Sequence, residues 1–324
     1  MRVLGIETSC DETSAAVVKD GCDILSCVTS SSMDFHKNYG GIVPEIASRK
    51  QLETIAYVAE SALKKAKTNL KDIKLIGVTD RPGLLGSLLV GMSFAKAISF
   101  GLNVPLLDVD HLKSHIYAGF LNAKKIKLPF IALIVSGGHT SLFYVRDFNK
   151  IEPLGSTNDD ACGEAFDKVA KILGMAYPGG PLIEKLAKKG DPAKIRFNCS
   201  DTKNPLDFSF SGIKTAVLYY VQRHVSSARC QVPKRTTLKA DISASFQETV
   251  IDTLIKKSLL ACRAKKNNRL VIGGGVAANN RLRERFLDEA RQQGIEIFFP
   301  AKELCMDNAA MVAGLAYRLF KKGA

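Results

Sequence analysis

Near the amino terminus the apolar positions come in short runs broken by turn formers: "VLGIETS", "TSAAVVKD" and "DILSCVTSS". Runs of this length, rich in β-branched residues, predict three strands joined by turns. The period then changes. "VPEIASRKQLETIAYVAESALKKAK" spaces its apolar residues three and four apart, which predicts a long amphipathic helix. A strand "KLIGVT", a Gly-punctuated turn "DRPGLLGS", a helix through about Gly101 and a strand "PLLDVD" follow. The first half therefore reads βββ, α, β, α, β.

The second half returns to that order. "PFIALIVSGG", "HTSLFYVRD" and "KIEPLGS" predict three strands again, followed by helical patterns, a long irregular stretch and a helix "ISASFQETVIDTLIKKSLLACRA". A strand "RLVIGGG", a helix from about Asn280, a strand "IEIFFP" and a helix "DNAAMVAGLAYRLFKK" complete the series. The repetition predicts two tandem α/β domains of one topology. They cover residues 1–125, completed by the C-terminal helix 307–324, and residues 126–306, with an insertion at about 176–240. Ligand groups in such domains gather at the carboxyl ends of strands, so a shared ligand cleft is expected.

Composition adds a partner to this picture. The 324 residues carry a formal charge of +14, concentrated in "LNAKKIKLP", "RHVSSARCQVPKRTTLKAD", "KKSLLACRAKKNNR" and "RLRERF". Basic patches suit either a solvated surface or a polyanion. With 7% aromatic residues and no Trp, contact with a phosphate backbone is favoured over base stacking. The eight cysteines include no CxxC pair and read as reduced thiols of a cytoplasmic protein. No run of about 18 or more uncharged apolar residues and no charged leader are seen, so neither a membrane span nor a targeting signal is expected.

Candidate chemistry starts at "DVDHLKSHIYAG". His111 and His115, two of only five histidines, stand four apart and so share a helix face, as one metal ion requires. Packing or capping histidines would show the same spacing. A zinc protease of the HExxH type needs a Glu directly after the first His as general base, and Leu112 occupies that position. The equivalent turn at the end of the second half, "IFFPAKELCMDN", offers Asp307 from the second repeat, and a two-His, one-carboxylate set suits Fe(II) or Zn(II).

Other motifs are weaker alone. "VSGGHTS", Val135 to Ser141, is either a plain hairpin or a turn whose bare amides meet a phosphate, with His139 beside it. "VIGGGVAANNRLRERF" is a Gly-rich strand-to-helix turn that favours anions but is neither a P-loop nor GxGxxG. In "SCDETS", Asp11 and Glu12 are either solvated turn acids or acid/base groups. Asp167 in "GEAFDKVAKILG" is either solvent-facing or a ligand contact, and Gly180 opens a helix in "YPGGPLIEKLA".

Together, "GIETSCDETS", "DVDHLKSHIYAG", "LIVSGGHTSL", "GEAFDKVAKILGMAYPGGP", "FSFSGIKTA", "GGGVAANNRLR" and "CMDNAAMVA" closely resemble the TsaD family, the bacterial tRNA N6-adenosine threonylcarbamoyltransferases. The resemblance runs collinearly over nearly the whole chain. It implies two actin-like domains of the acetate-kinase, sugar-kinase, heat-shock-protein and actin superfamily. It also implies a reaction: the threonylcarbamoyl group of L-threonylcarbamoyladenylate passes to N6 of the adenosine just 3′ of the anticodon in tRNAs reading codons that begin with A, and AMP is released.

By motif match, His111, His115 and Asp307 would hold one divalent metal, Fe(2+) favoured and Zn(2+) the alternative. Val135, Ser136, Gly137, Gly138, His139, Asp167, Gly180, Glu184 and Asn279 would contact the adenylate, Glu184 standing where the family often has Asp. Asp11 and Glu12 match acids linked to activity. Arg81 replaces a usual Gly, and Ala309 departs from a common "DNGA". The companion proteins TsaB and TsaE are implied partners, beside tRNA. An ATP-dependent kinase of the same fold, which would not need the HxxxH helix, and a non-catalytic scaffold lacking the metal set are the other readings.

Overall fold

The computed structural model describes residues 1–36, 39–123, 126–224 and 232–323. Lys124, Lys125 and residues 225–231, which carry part of two basic patches and Cys230, lie outside the described residues, as do the side chains of residues 122, 123 and 232–235. The chain forms two compact units, Met1–Lys127 with Pro300–Ala324, and Leu128–Phe299.

The first unit opens with strands β1 (Arg2–Glu7), β2 (Glu12–Lys19) and β3 (Asp23–Ser31). Helices α1 (Met33–His36) and α2 (Pro44–Lys65), strand β4 (Ile73–Arg81), helix α3 (Leu85–Leu102), strand β5 (Leu106–Asp110) and helix α4 (His111–Tyr117) follow. The second unit contains β6 (Phe130–Val135), β7 (Thr140–Asp147), β8 (Lys150–Ser156), α5 (Cys162–Ile172), α6 (Gly179–Ala187), α7 (Ser211–His224) and α8 (Val232–Ala264). Strand β9 (Arg269–Gly273), helix α9 (Asn280–Gln292) and strand β10 (Glu296–Phe298) complete it. The chain then returns to the first unit with helix α10 (Ala309–Phe320).

The sheets run in the orders β3-β2-β1-β4-β5 and β10-β9-β6-β7-β8. Read with β6 in the place of β1, these are one topology: two antiparallel pairings, then two parallel ones. Two predicted features change. The stretch read as irregular contains α7, whose Ile213, Val217 and Val221 recur at helical spacing and are buried. Helix α8 also begins earlier than its apolar pattern, because the packed segment from Ala240 onward anchors polar turns that would not stand alone.

The two faces of the first sheet are sorted by the alternation of residues along each strand. Leu4, Ile6, Ile76 and Val78 enter a core with Ile55, Val58 and Ala59 of α2 and Ala95 of α3. The residues between them, Gly5 and Gly77, face α10. A Cβ on Gly5 would collide with the Ala309 carbonyl, and one on Gly77 would stand 2.6 Å from the Ala316 Cβ. Every residue from Ala309 to Ala316 is buried, as expected of a helix apolar on all sides. Helix α3 is turned the other way: Ser87, Gly91 and Ala95 face inward, while Leu85, Leu89 and Phe100 are exposed. Its 18 residues have a mean hydropathy of 1.5, a length and composition that match a membrane-crossing helix, but it carries Lys96 and packs on α2 and β4.

Gly5→Ala and Gly77→Ala should each destabilise the protein by about 1–3 kcal/mol, since the added methyl must displace α10 backbone or side chains. Gly101→Ala, with no atom within 4 Å of the new methyl, is the control and should be neutral or stabilising. Thermal denaturation of the three variants checks this, and wild-type melting of Gly5→Ala would refute the packing argument.

Candidate active site

Strand β5 ends at Asp110, whose Oδ1 accepts from the Lys113 amide at 3.0 Å and so caps α4. Capping starts the helix at His111 and brings His115 one turn later onto the same face. Their rings lie 4.6 Å apart at 84°. Both Nε2 atoms approach one oxygen: Asp307 Oδ1 is 3.0 Å from His115 and 3.6 Å from His111. Asp307 is held there by its neighbour. Asn308 caps α10, accepting from the Met311 amide at 3.0 Å and donating to the Met306 carbonyl at 2.8 Å. Asp307 therefore belongs to the same unit as the two histidines. The sequence offered it from the second repeat while giving helix 307–324 to the first domain; the chain crosses back at Pro300, before reaching it.

The three donor atoms lie within 4.8 Å of one another. Ligands at about 2.0–2.2 Å from a common ion stand roughly 3–3.5 Å apart in tetrahedral or octahedral geometry, and the two separations from Asp307 Oδ1, 3.0 and 3.6 Å, lie close to this. The donor set of two imidazoles and one carboxylate fits borderline metals such as iron and zinc.

A buried acid underlies the pair. Glu7, at the end of β1 and fully buried, has Oε2 3.1 Å from His111 Nδ1. Thr79 Oγ1 donates to the same oxygen at 2.5 Å, and the Ser9 amide donates to Oε1 at 2.6 Å. Burial alone would raise the Glu7 pKa, but the neighbouring His111 charge and hydrogen bond outweigh it and hold the carboxyl below its ordinary value. For His111 burial works against protonation, yet the charges of Glu7 and Asp307 push its pKa up to about 9. Sequence reading missed Glu7; its one signal was an acid closing an apolar strand.

The turn from β1 to β2 presents Asp11 and Glu12. Gln51 of α2 pins it, donating from Nε2 to the carbonyls of Cys10 at 2.9 Å and Glu12 at 3.0 Å. The Leu84 amide donates to the Ser9 carbonyl at 2.7 Å, and a Cβ on Gly83 would strike that same backbone. Burial and then the charge of Asp307 raise both acids, Glu12 to about 9. In the metal-free protein Glu12 is thus protonated at neutral pH. Neither is the freely solvated turn acid that sequence alone allowed.

The remaining candidates lie in the second unit. Val135 ends β6, and Ser136 to His139 form the turn into β7, closed by the Ser136 amide donating to the His139 carbonyl at 2.8 Å. Gly137 and Gly138 would carry a Cβ with nothing within 4 Å, so their backbone is open to an approaching group. Two other motifs are built against this turn. The Gly163 amide of α5 donates to the Ser136 carbonyl at 3.0 Å, and Gly274 (φ +91°) passes so close to the Val135 carbonyl that only glycine fits.

Asp167 does not simply point to solvent. Its Oδ1 accepts from the Gly179 amide at 2.7 Å, so it holds the start of α6 where Gly180 lies. Glu184 Oε1 accepts from both the amide and the side-chain nitrogen of Asn280, at 3.0 and 2.7 Å. Asn279 caps α9 by accepting from the Leu282 amide at 3.0 Å and donates to Gln247 Oε1 at 2.9 Å. Glu184, Gln247, Asn280 and Arg281 line a pocket of about 440 Å³, within the range of small-molecule sites.

Comparison with known proteins gives the same family as the motifs. The TsaD profile, described as tRNA N6-adenosine threonylcarbamoyltransferase, matches residues 23–314. A protein of that name from Clostridium kluyveri is 48% identical over 326 residues, covering 100% of this chain and 94% of its own length. Among solved structures, component A of the (R)-2-hydroxyglutaryl-CoA dehydratase of Acidaminococcus fermentans aligns over 98% of both chains with a TM-score of 0.56 at 18% identity. Full-length HypF aligns over 99% of this chain and 55% of its own, with a TM-score of 0.63 at 15% identity. These likenesses show the actin-like α/β fold. With a profile match over most of its length and a relative near half identical end to end, the chain belongs to the TsaD family.

Proposed function

We propose that this chain transfers the threonylcarbamoyl group of L-threonylcarbamoyladenylate to N6 of the adenosine next to the anticodon in tRNAs reading codons that begin with A. The observation that carries the reading is the convergence of His111 Nε2, His115 Nε2 and Asp307 Oδ1, in a chain nearly half identical to relatives of that name. The donor is a mixed anhydride, so no enzyme nucleophile is needed: the N6 amine adds to the carbamoyl carbon, the bond to the phosphate oxygen breaks, and AMP leaves with its electron pair. A metal held by the three residues, iron favoured and zinc the alternative, would polarise the carbonyl oxygen.

This chain's own groups do the rest. Asp11, whose carboxyl is raised above its ordinary value by burial and by Asp307, takes the proton released by the attacking amine. Glu12, whose carboxyl burial holds above its ordinary value, is placed to donate a hydrogen bond where negative charge develops. The open amides of Gly137 and Gly138 suit the adenylate phosphate, while Asp167 fixes the Gly179–Gly180 start of α6 for the nucleoside. Val135, His139, Glu184 and Asn279 complete the proposed contacts.

The charge distribution supports an RNA partner. Lys185, Lys188, Lys189, Lys194 and Arg196 are exposed and form no ion pair among the described residues, whereas Arg281 and Arg285 of α9 are tied to Glu248 and Asp252. The outward leucines and Phe100 of α3 support a companion protein such as TsaB, with TsaE as a further partner. A tRNA substrate supports a cytoplasmic location.

With preformed threonylcarbamoyladenylate and a tRNA transcript, His111→Ala and Asp307→Ala should each lower transfer more than about a hundredfold, beyond the cost of losing an outer partner of a metal ligand. Asp11→Asn should cost about 10²–10⁴-fold as a lost proton acceptor. AMP release with modified adenosine is the readout, and full activity of Asp307→Ala would refute the metal assignment. A second expectation concerns pH. His111 keeps its proton up to about pH 9 in the metal-free protein, and a metal needs the bare Nε2. Apparent zinc affinity should therefore rise about tenfold per pH unit between about pH 6.5 and 8 and flatten near the His111 pKa, with close to one proton released on binding. Calorimetry in buffers of different ionisation enthalpy measures both, and pH-independent binding would contradict the His111 assignment.

A further inference from the structure

The two histidines differ on the side away from Asp307. His115 Nδ1 is buried and finds no hydrogen-bond partner among the described residues. His111 Nδ1 meets Glu7 Oε2 at 3.1 Å, with Ser9 Oγ also at 3.2 Å. Glu7 cannot reorient to serve another purpose. Thr79 Oγ1 fixes one oxygen at 2.5 Å and the Ser9 amide fixes the other at 2.6 Å, on a strand whose every neighbour is paired in the sheet. A carboxylate is a poor thing to bury, since its desolvation costs several kcal/mol unless it is met by donors. Three donors meet this one, and the third is the metal-facing imidazole.

We propose that Glu7 is a positioning residue: it accepts the Nδ1–H of His111, which fixes the ring's tautomer and orientation and leaves the Nε2 lone pair free for a cation beside Asp307. A carboxylate behind a ligating imidazole also raises the basicity of the opposite nitrogen. His115 lacks such a partner on Nδ1 and is set on that side by packing, being fully buried. Glu7 thus acts on one ligand of the pair, and the site is asymmetric. Ser9 Oγ, a weaker acceptor on the same nitrogen, cannot substitute for it, because a hydroxyl can donate as well as accept and so selects no tautomer.

The inference rests on the metal reading of the site, and the test separates the two. Zinc affinity is measured by chelator competition on the full chain, for wild type, Glu7→Gln, Glu7→Asp and His115→Ala, beside thermal melting of each metal-free protein. Glu7→Gln keeps shape and can still accept from the Ser9 amide, but its amide nitrogen can donate to Nδ1 and move the His111 proton to Nε2. Above about pH 9, where no proton competes for Nε2 in wild type, it should lose about 10–100-fold in zinc affinity, with metal-free melting close to wild type. Glu7→Asp keeps the charge and should lie between the two. Wild-type affinity in Glu7→Gln overturns the proposal, as does a loss of affinity matched by an equal loss of folding stability. The wild-type protein supplies a check that needs no variant: nitrogen-15 imidazole NMR of the zinc-loaded chain should show His111 protonated at Nδ1, and protonation elsewhere overturns the role. If wild type takes up no more zinc than His115→Ala, the metal reading itself falls.

Discussion

The close seating of α10 on β1 and β4 is the constraint on which the site depends. Gly5 and Gly77 lack side chains where the helix passes, and Ala309, Ala313 and Ala316 present methyls or bare backbone to them. Ser14 Oγ of β2 accepts from the Ala309 amide at 3.0 Å, which fixes the first turn of the helix on the sheet. Asp307 stands two residues before that turn, and Asn308 ties the intervening loop to Leu304 and Met306. A shift of α10 away from the sheet would carry the carboxylate with it. Packing at two glycines thus sets a donor distance at the site, and the small residues of "DNAAMVAGLA" are a requirement of the chemistry as much as of the core.

The electrostatics of the same region follow from crowding. Glu7, Asp11, Glu12 and Asp307 surround two imidazoles in a part of the molecule largely withdrawn from water. Burial and then neighbouring negative charge raise the pKa of Asp11 and Glu12, while Glu7 is held below its ordinary value by His111, which is itself drawn into its protonated form. The arrangement is that of a site short of positive charge. A divalent cation held by His111, His115 and Asp307 would answer this directly, taking the place of the His111 proton and lowering the pKa of the neighbouring acids. The raised values of Glu12 and His111 near 9 describe the molecule before that exchange.

Much of this was legible in the sequence. The alternation in "VLGIETS" and "FIALIVSGG" predicted the paired strand triplets, and repetition of the element order predicted the duplicated sheet. HxxxH spacing put two imidazoles on one helix face, and Leu112 removed the protease reading. What pattern alone left ambiguous was the place of Asp307, because a repeat read by pattern assigns each residue to the copy in which it occurs, whereas the chain crosses between units at Pro300. It also missed Glu7, since an acid at the end of an apolar run looks like a strand terminus until its partners Thr79 and His111, far along the chain, are seen. Helix α7 was lost for a different reason: Ala216, Leu218, Tyr219 and Tyr220 stand among Ile213, Val217 and Val221, so the apolar residues mark no clear face.

In the second unit the proposed adenylate contacts already have structural work. Asp167 anchors the start of α6, Asn279 caps α9, and Glu184 joins α6 to Asn280. Each of these side chains secures a backbone turn by satisfying amides that would otherwise lack a partner at a helix start. The turns they secure are the glycine-bearing ones, where the main chain can approach a ligand without a Cβ between. Side chains that fix such a turn spend their polarity on it beforehand, so binding does not have to order the loop. Under the proposed function, loss of Asp167 or Asn279 would weaken adenylate binding through the mobility of the turn even where no direct contact is lost, while at Gly137 and Gly138 no Cβ would stand in the way of a phosphate.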